Sequence, residues 1–310
     1  MALSQKNEKT GNIILRVLIT ILTFGIVIFL IFRNLDDFIE AFRRLPLTLM
    51  LILIVFAFLS RVAKTIRWFI LIKAVEPGVI FKDIFKLSFV GLFTTNVLPS
   101  TIGGDLVKFS VGVQTGLDSA HLAASLILDR LVGMVTMATF LPFGIVPILQ
   151  MNVSQADFTN NSLLGLIPNL WRKSLSLLDR TWKSLHLWFK KPSCLIGAVI
   201  LSYLHMFLTF SIVFLILVGL SDPVPWWIVG GLWVFVYFIT LVPISINGFG
   251  LQEISLSFVF HSLAGISVTN SLVLAIIIRL IFIIASLPGA LFLPKIIPMK
   301  PIKGTLNDEL

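Results

Sequence analysis

Apolar runs of bilayer-crossing length recur along the chain from Ile13 to Ile297, separated by short polar stretches. The first, Ile13 to Phe32, is 20 residues with one charge, Arg16. It is longer than a secretory h-region and lacks a small-residue cleavage site, which predicts a retained span. Leu47 to Ile72 forms a second run, preceded by a charged stretch from Arg33 to Arg44. Ile84 to Val113 follows, broken in its middle by Leu98-Pro99-Ser100-Thr101-Ile102-Gly103-Gly104-Asp105. His121 to Leu149 carries Asp129-Arg130 inside it, with Pro142 and Pro147 near its end. Cys194 to Leu220, Trp226 to Val242, a glycine-interrupted piece from Ile246 to Phe260, and Val268 to Leu293 complete the series. Backbone groups in hydrocarbon must be satisfied within the segment, so the pattern predicts an all-α polytopic membrane protein of about seven or eight transmembrane or re-entrant helices.

Between Gln150 and Pro192 the period changes. Leu164, Ile167, Trp171, Leu175, Leu178, Trp182, Leu185 and Phe189 recur every three or four residues, with Arg172, Lys173, Arg180 and Lys183 between them. This reads as an amphipathic helix over about 162–191 lying in the membrane interface, with a soluble cap helix as the alternative. The chain is then a single transmembrane domain over 1–310, with a first half at about 13–149 and a second at about 194–297.

The chain is 57% hydrophobic and 13% charged, with mean hydropathy +1.01, and no polar stretch is large enough for a separate catalytic domain. That excludes an attached nucleotide-binding or acyl-transfer module. The net charge of +9 suits cytoplasmic loops and anionic headgroups, not nucleic acid. Lys190 and Lys191 join the basic helix, and Lys295, Lys300 and Lys303 lie near the C-terminus. The positive-inside tendency therefore predicts a multi-pass cell inner-membrane protein with a cytoplasmic C-terminus, and Lys6, Lys9 and Arg16 predict the same for the N-terminus. One cysteine, Cys194, allows no intrachain disulfide or CxxC pair. His121, His186, His205 and His261 have no metal-ligand spacing and HExxH is missing, so neither metal nor cofactor is expected. Asn152-Val153-Ser154 and Asn160-Asn161-Ser162 fit the glycosylation pattern, but a cytoplasmic loop would leave them unused.

The two interruptions resemble each other. Shifted by 144 residues, Leu98-Pro99-Ser100-Thr101-Ile102-Gly103-Gly104 falls on Val242-Pro243-Ile244-Ser245-Ile246-Asn247-Gly248. Proline removes a donor and glycine frees the backbone, so each should end or unwind a helix inside the membrane. A matched pair of such breaks points to a transporter binding site near the midplane; simple packing kinks are the alternative. A half-helix starting near Gly103 and Gly104 would offer free N–H groups, with Lys108 one turn on, to a phosphate or carboxylate. Asp105 either caps that helix or binds a headgroup amine. In the second half Gly248 and Gly250 precede Gln252 and Glu253.

Intramembrane charges are the other clue, because one at the bilayer centre costs at least about 2.5–3.5 kcal/mol unless paired or wet. Lys64 and Arg67 lie near a helix end and are expected to snorkel. Arg61, about 21 Å into its helix at 1.5 Å per residue, is not so easily placed. Asp129 and Arg130 point about 100° apart, which predicts different partners. Arg279 is expected to pair with Asp129 or Glu253, either as a structural bond or in substrate handling.

These motifs resemble the flippase-like transmembrane domain of the lysylphosphatidylglycerol synthetase family. The matching patterns are Arg67-Trp68, Leu98-Pro99 with Gly103-Gly104-Asp105 and Lys108, Asp129-Arg130-Leu131-Val132-Gly133, and Pro243-Ile244-Ser245-Ile246-Asn247-Gly248-Phe249-Gly250 with Glu253. The resemblance covers nearly the whole chain. Gln252 stands where the family often has arginine, which removes any headgroup contact made by that residue. The resemblance implies a protein that moves lipid between leaflets. In two-part members a soluble C-terminal domain performs aminoacyl transfer, and this sequence stops at Leu310 without it.

The expected function is a non-enzymatic, flippase-like translocation of a phosphate-bearing lipid, such as an aminoacylated phosphatidylglycerol or a polyprenyl-phosphate-linked lipid. Gly103, Gly104, Asp105, Lys108, Gly248, Gly250 and Glu253 are the expected headgroup residues; Arg61, Asp129, Arg130 and Arg279 would line or gate the path. With no ATPase motif, transport would run downhill, be coupled to an ion, or be driven by use of the lipid. The alternatives are a lipid-modifying enzyme using Asp105 and Glu253 as acid and base, and a non-transporting subunit. Expected partners are membrane lipids, with a separate glycosyltransferase or lipid synthetase and a homo-oligomer left open.

Overall fold

A computed structural model describes residues 35–98, 103–150, 188, 191–241 and 249–296, together with 25, 28, 29 and 32. The predicted span at 13–32 and nearly all of the predicted amphipathic helix therefore lie outside the described residues, as do both chain termini. So do 99–102 and 242–248, the centres of the two breaks.

Eleven helices and no strand form among the described residues. They are α1 (Leu35–Arg43), α2 (Leu47–Val75), α3 (Phe81–Val97), α4 (Gly103–Gln114), α5 (Ser119–Ala138), α6 (Leu141–Gln150), α7 (Pro192–Gly219), α8 (Trp226–Leu241), α9 (Leu251–Ala264), α10 (Val268–Ser286) and α11 (Pro288–Ile296). Their limits follow local chemistry. Pro77 stops α2, and Pro192 opens α7 at the position where a missing N–H costs nothing. The side chains of Asp118 and Ser267 cap α5 and α10, accepting from the backbone N–H of His121 and Asn270. Leu47–Val75, Ser119–Pro147, Pro192–Gly219 and Val268–Leu293 are long and apolar enough to cross a bilayer, and Trp226–Leu241 is a shorter apolar helix.

Burial is arranged for lipid. On α2 the outward stripe is Leu47, Leu51, Val55 and Leu59, all exposed, whereas Ser60, Thr65 and Arg67 are buried. α7 likewise exposes Ile196, Ile200, Tyr203 and Phe207 and buries Ser202, Thr209 and Ser211. Continuous apolar patches of this size are stable only against hydrocarbon or another protein. The main apolar core lies between α2, α7, α8, α9 and α10, around Phe210, Leu232, Phe260 and Ile278.

The two halves repeat. The 144-residue offset carries Leu47–Val75 onto 191–219 and Phe81–Val97 onto 225–241, each one residue from the start of α7 and α8. Equivalent helices run in opposite directions. Lys191, beside the start of α7, donates to the carbonyl of Ala74 at the end of α2 (2.6 Å), while Gly219 at the end of α7 packs on Leu45 and Leu49 at the start of α2. The repeat is therefore inverted.

Each broken segment folds back on itself. α3 and α4 are about 25 and 18 Å long at 1.5 Å per residue, short of the roughly 30 Å hydrocarbon core. They pack antiparallel: Gly91 lies against Lys108, Gly104 against Thr95, and Gly103 against Leu98. Glu76 before the hairpin and His121 after it are joined at 2.7 Å, so both arms start and finish at one end of the bundle. The second half repeats the device. Asn270 at the start of α10 donates to Asp222 before α8 (2.7 Å), which ties together the base of the α8–α9 pair at the opposite end.

Candidate functional site

The two hairpins point at one cavity of about 490 Å3. The residues flanking each break line it: Thr95, Asn96 and Asp105 from the first hairpin, Tyr237, Leu241 and Gln252 from the second. α2, α5, α7 and α10 supply the remaining walls.

The walls carry an unusual number of charges for a membrane interior. Arg61, Lys64 and Arg67 recur every three residues on α2, a spacing that puts them on one face. Arg67 is 3% exposed and does not snorkel as its place near a helix end predicted. Its Nε donates to Asp129 Oδ1 at 2.6 Å, Nη2 to Oδ2 at 2.9 Å, and Nη1 to Ser202 Oγ on α7 at 2.9 Å. A bidentate fork with a third bond satisfies a buried guanidinium in the way hydrocarbon demands. Lys64 likewise turns inward to the cavity rather than out to the interface.

Two further ion pairs stand in matching places. Arg130 Nε donates to Asp105 Oδ2 at 2.6 Å, and Arg279 Nε donates to Glu253 Oε1 at 2.5 Å. Asp105 is the third residue of α4 and Glu253 the third of α9; Arg130 is the twelfth of α5 and Arg279 the twelfth of α10. Each half thus ties the first turn after its break to the middle of the next helix. Lys108 Nζ lies 3.4 Å from Asp105 Oδ1 and 4.8 Å above the Trp68 ring. The Arg279 guanidinium stacks at 4.6 Å on Phe249.

Arg61 and Lys64 differ from these. The Arg61 guanidinium sits 4.4 Å over the Phe282 ring, and its buried Nε has no hydrogen-bond partner among the described residues. Lys64 makes no ion pair or hydrogen bond among the described residues. His205, also on the wall, is 2.6 Å from Ser60 Oγ through Nδ1.

Of the residues expected to bind the headgroup, Asp105 and Lys108 line the cavity and Glu253 stands behind Arg279; the four expected to line or gate the path, Arg61, Asp129, Arg130 and Arg279, all line it. Gly103 and Gly104 are buried in the α3–α4 contact and are not among the lining residues. Gly250 (φ +74°) turns the chain into α9. Gly248 lies outside the described residues. Lys64 and Arg67 are cavity residues that a reading by distance from the helix end missed; their three-residue spacing from Arg61 was the available signal. Asp129 and Arg130 do take different partners, as their angular separation predicted.

Away from the cavity, Glu76, Asp118 and His121 bring ligand-type atoms within 4.8 Å of one another at the base of the first hairpin. Hydrogen bonds within the group occupy them: His121 Nδ1 with Glu76, and the His121 backbone N–H with Asp118.

A family model for the lysylphosphatidylglycerol synthase TM region matches the chain in two stretches, residues 13–168 and 157–289. A UPF0104 membrane protein of Methanothermobacter thermautotrophicus is 20% identical over 282 residues, covering 78% of this chain and 83% of its own length.

Proposed function

Because the chain belongs to the lysylphosphatidylglycerol synthase transmembrane-region family, we propose that it is a flippase-like protein that passes a phosphate-bearing lipid between leaflets. One observation carries this reading. Hairpins from the two inverted halves, anchored at opposite ends of the bundle, converge on a single charged cavity. Inverted repeats with discontinuous helices meeting at the midplane are a transporter architecture, since each half can rock against the other around one site. The headgroup phosphate would sit among Arg61, Lys64 and Lys108, with the acyl or prenyl chains left in lipid. Gly103, Gly104 and Gly250 would shape the hairpins beside the breaks. The pairs Asp105–Arg130 and Glu253–Arg279 would hold each hairpin against its own half until the headgroup arrives.

We read the chain as a carrier and not an enzyme. Both carboxylates that an acid–base mechanism would use are committed to arginines. The test is a proteoliposome assay that scores how fast the headgroup of a phosphate lipid becomes accessible to an impermeant reagent. Wild-type vesicles should exchange leaflets faster than empty ones, and Lys64→Gln should lie between. Equal exchange in all three would sink the proposal.

A further inference from the structure

The charge arithmetic of the cavity narrows the ligand, and the inference rests on the reading of that cavity as a headgroup site. Six cations serve it: Arg61, Lys64, Arg67, Lys108, Arg130 and Arg279. Three carboxylates answer them, Asp129 to Arg67, Asp105 to Arg130 and Glu253 to Arg279. Six less three leaves a formal excess of three positive charges, on Arg61, Lys64 and Lys108. Neither 99–102 nor 242–248, the sequence of the two breaks, contains a charged residue.

The carboxylates that line the cavity are engaged as well. Both oxygens of Asp129 are taken by Arg67. Those of Asp105 face Arg130 and Lys108. Glu253 Oε1 holds Arg279, and its Oε2 is buried without a partner, behind the lining. Among the described residues no carboxylate on the wall is therefore left for a headgroup ammonium, and the buried Arg61 Nε has no acceptor.

We propose that the cavity selects a lipid phosphate monoester or diphosphate, a headgroup with two or three negative charges concentrated at its tip, and rejects amine-bearing headgroups such as an aminoacylated phosphatidylglycerol. A phosphodiester brings one negative charge and leaves most of the excess unanswered. A lysyl ester of phosphatidylglycerol carries net positive charge and would add to it, in a low-dielectric site where like charges repel strongly. A phosphate monoester, at about −1.5 to −2 near neutral pH, presents three strong acceptor oxygens. The Arg61 fork and the Lys64 and Lys108 ammoniums can each donate to one.

The test uses the full chain in phosphatidylcholine nanodiscs, titrated separately with farnesyl monophosphate, farnesyl diphosphate, phosphatidylglycerol, its lysyl ester, and inorganic phosphate and pyrophosphate. Binding is read from intrinsic tryptophan fluorescence and the unfolding midpoint; Trp68 under Lys108 is a local reporter. The farnesyl phosphates should bind at least about tenfold more tightly than phosphatidylglycerol, and the lysyl ester should not compete. Lys64→Gln and Arg61→Gln should each weaken the monophosphate about tenfold, with Lys64→Arg restoring it. Since Lys64 makes no ion pair or hydrogen bond among the described residues, Lys64→Gln should keep the wild-type unfolding midpoint, so that lost binding is not lost fold. A lysyl ester binding as tightly as the monophosphate, or selectivity unchanged in the Arg61→Gln/Lys64→Gln double variant, overturns the inference. Inorganic phosphate binding as tightly as farnesyl monophosphate would keep the charge selection and overturn the lipid as its source. Selective binding without leaflet exchange would strike only the transport proposal, and exchange without this selectivity would strike only the present inference.

Discussion

At the scale of single residues, buried charge decides what can be changed. The Arg67–Asp129–Ser202 group joins α2, α5 and α7, and all three side chains are buried. Asp129→Asn leaves a buried guanidinium without its counterion, for which a loss of about 3–5 kcal/mol is typical. The unfolding midpoint in detergent should drop accordingly, and the apolar double variant Arg67→Met/Asp129→Leu should recover most of the loss. A midpoint for Asp129→Asn equal to wild type would mean that the pair contributes no stability. That these charges matter was legible in the sequence, because a charge in a long apolar run needs a reason. Their pairing was legible only in part. Glu253 was one of two partners foreseen for Arg279, but Asp129 bonds instead to Arg67, whose place near a helix end had suggested an interfacial position. Distance from a helix end says how deep a residue lies, and only packing says which side it faces.

At the scale of elements, the proline and glycine breaks were legible as chemistry. What they build follows from arm length, since α3 and α4 are each too short to cross and so return to the end they came from. Gly104 is where that return is tightest. A Cβ there would collide with the Thr95 hydroxyl and with the Gly91 carbonyl oxygen, and the carbonyl cannot move without displacing α3. Gly104→Val should therefore lower stability by about 1–3 kcal/mol or more. Gly78→Ala, at an exposed turn with nothing near its Cβ, should stay within about 0.5 kcal/mol of wild type. Matching unfolding midpoints for the two variants would contradict the hairpin contact. It follows that lost transport in a Gly104 variant reports a broken hairpin, and Lys64 or Arg61 is the better probe of the ligand. The helical period before Pro192 was read from the sequence alone, since that segment lies outside the described residues except for Lys191 and for Trp188, which is buried and donates to the Leu71 carbonyl at 2.9 Å.

At the scale of the whole molecule, the 144-residue offset was readable from seven residues around each break, yet the relative direction of the halves was not, because an offset has no sign in space. Direction is set by contacts at the two ends of α2 and α7, and it makes a topological prediction. Gly78, after α2, and Pro223, after α7, are both exposed and belong to opposite ends of the bundle. Around Gly78 the chain carries four basic residues, Lys73, Lys82, Lys86 and Lys191, with Glu76, Asp83 and Asp118, whereas the other end has two, Arg43 and Arg44, with Asp36, Asp37, Glu40 and Asp222. The positive-inside tendency then makes the Gly78 end cytoplasmic. In a Cys194→Ala background, Gly78→Cys should react with an impermeant maleimide only from the cytoplasmic side and Pro223→Cys only from the other. Labelling of both from one side would mean that the halves are parallel. On the proposed transport reading the inversion would matter, because opposed halves could exchange conformations and so open the same cavity first to one leaflet and then to the other. A parallel repeat would offer its hairpin bases to one side alone, and the two matching ion pairs could not act as alternate latches.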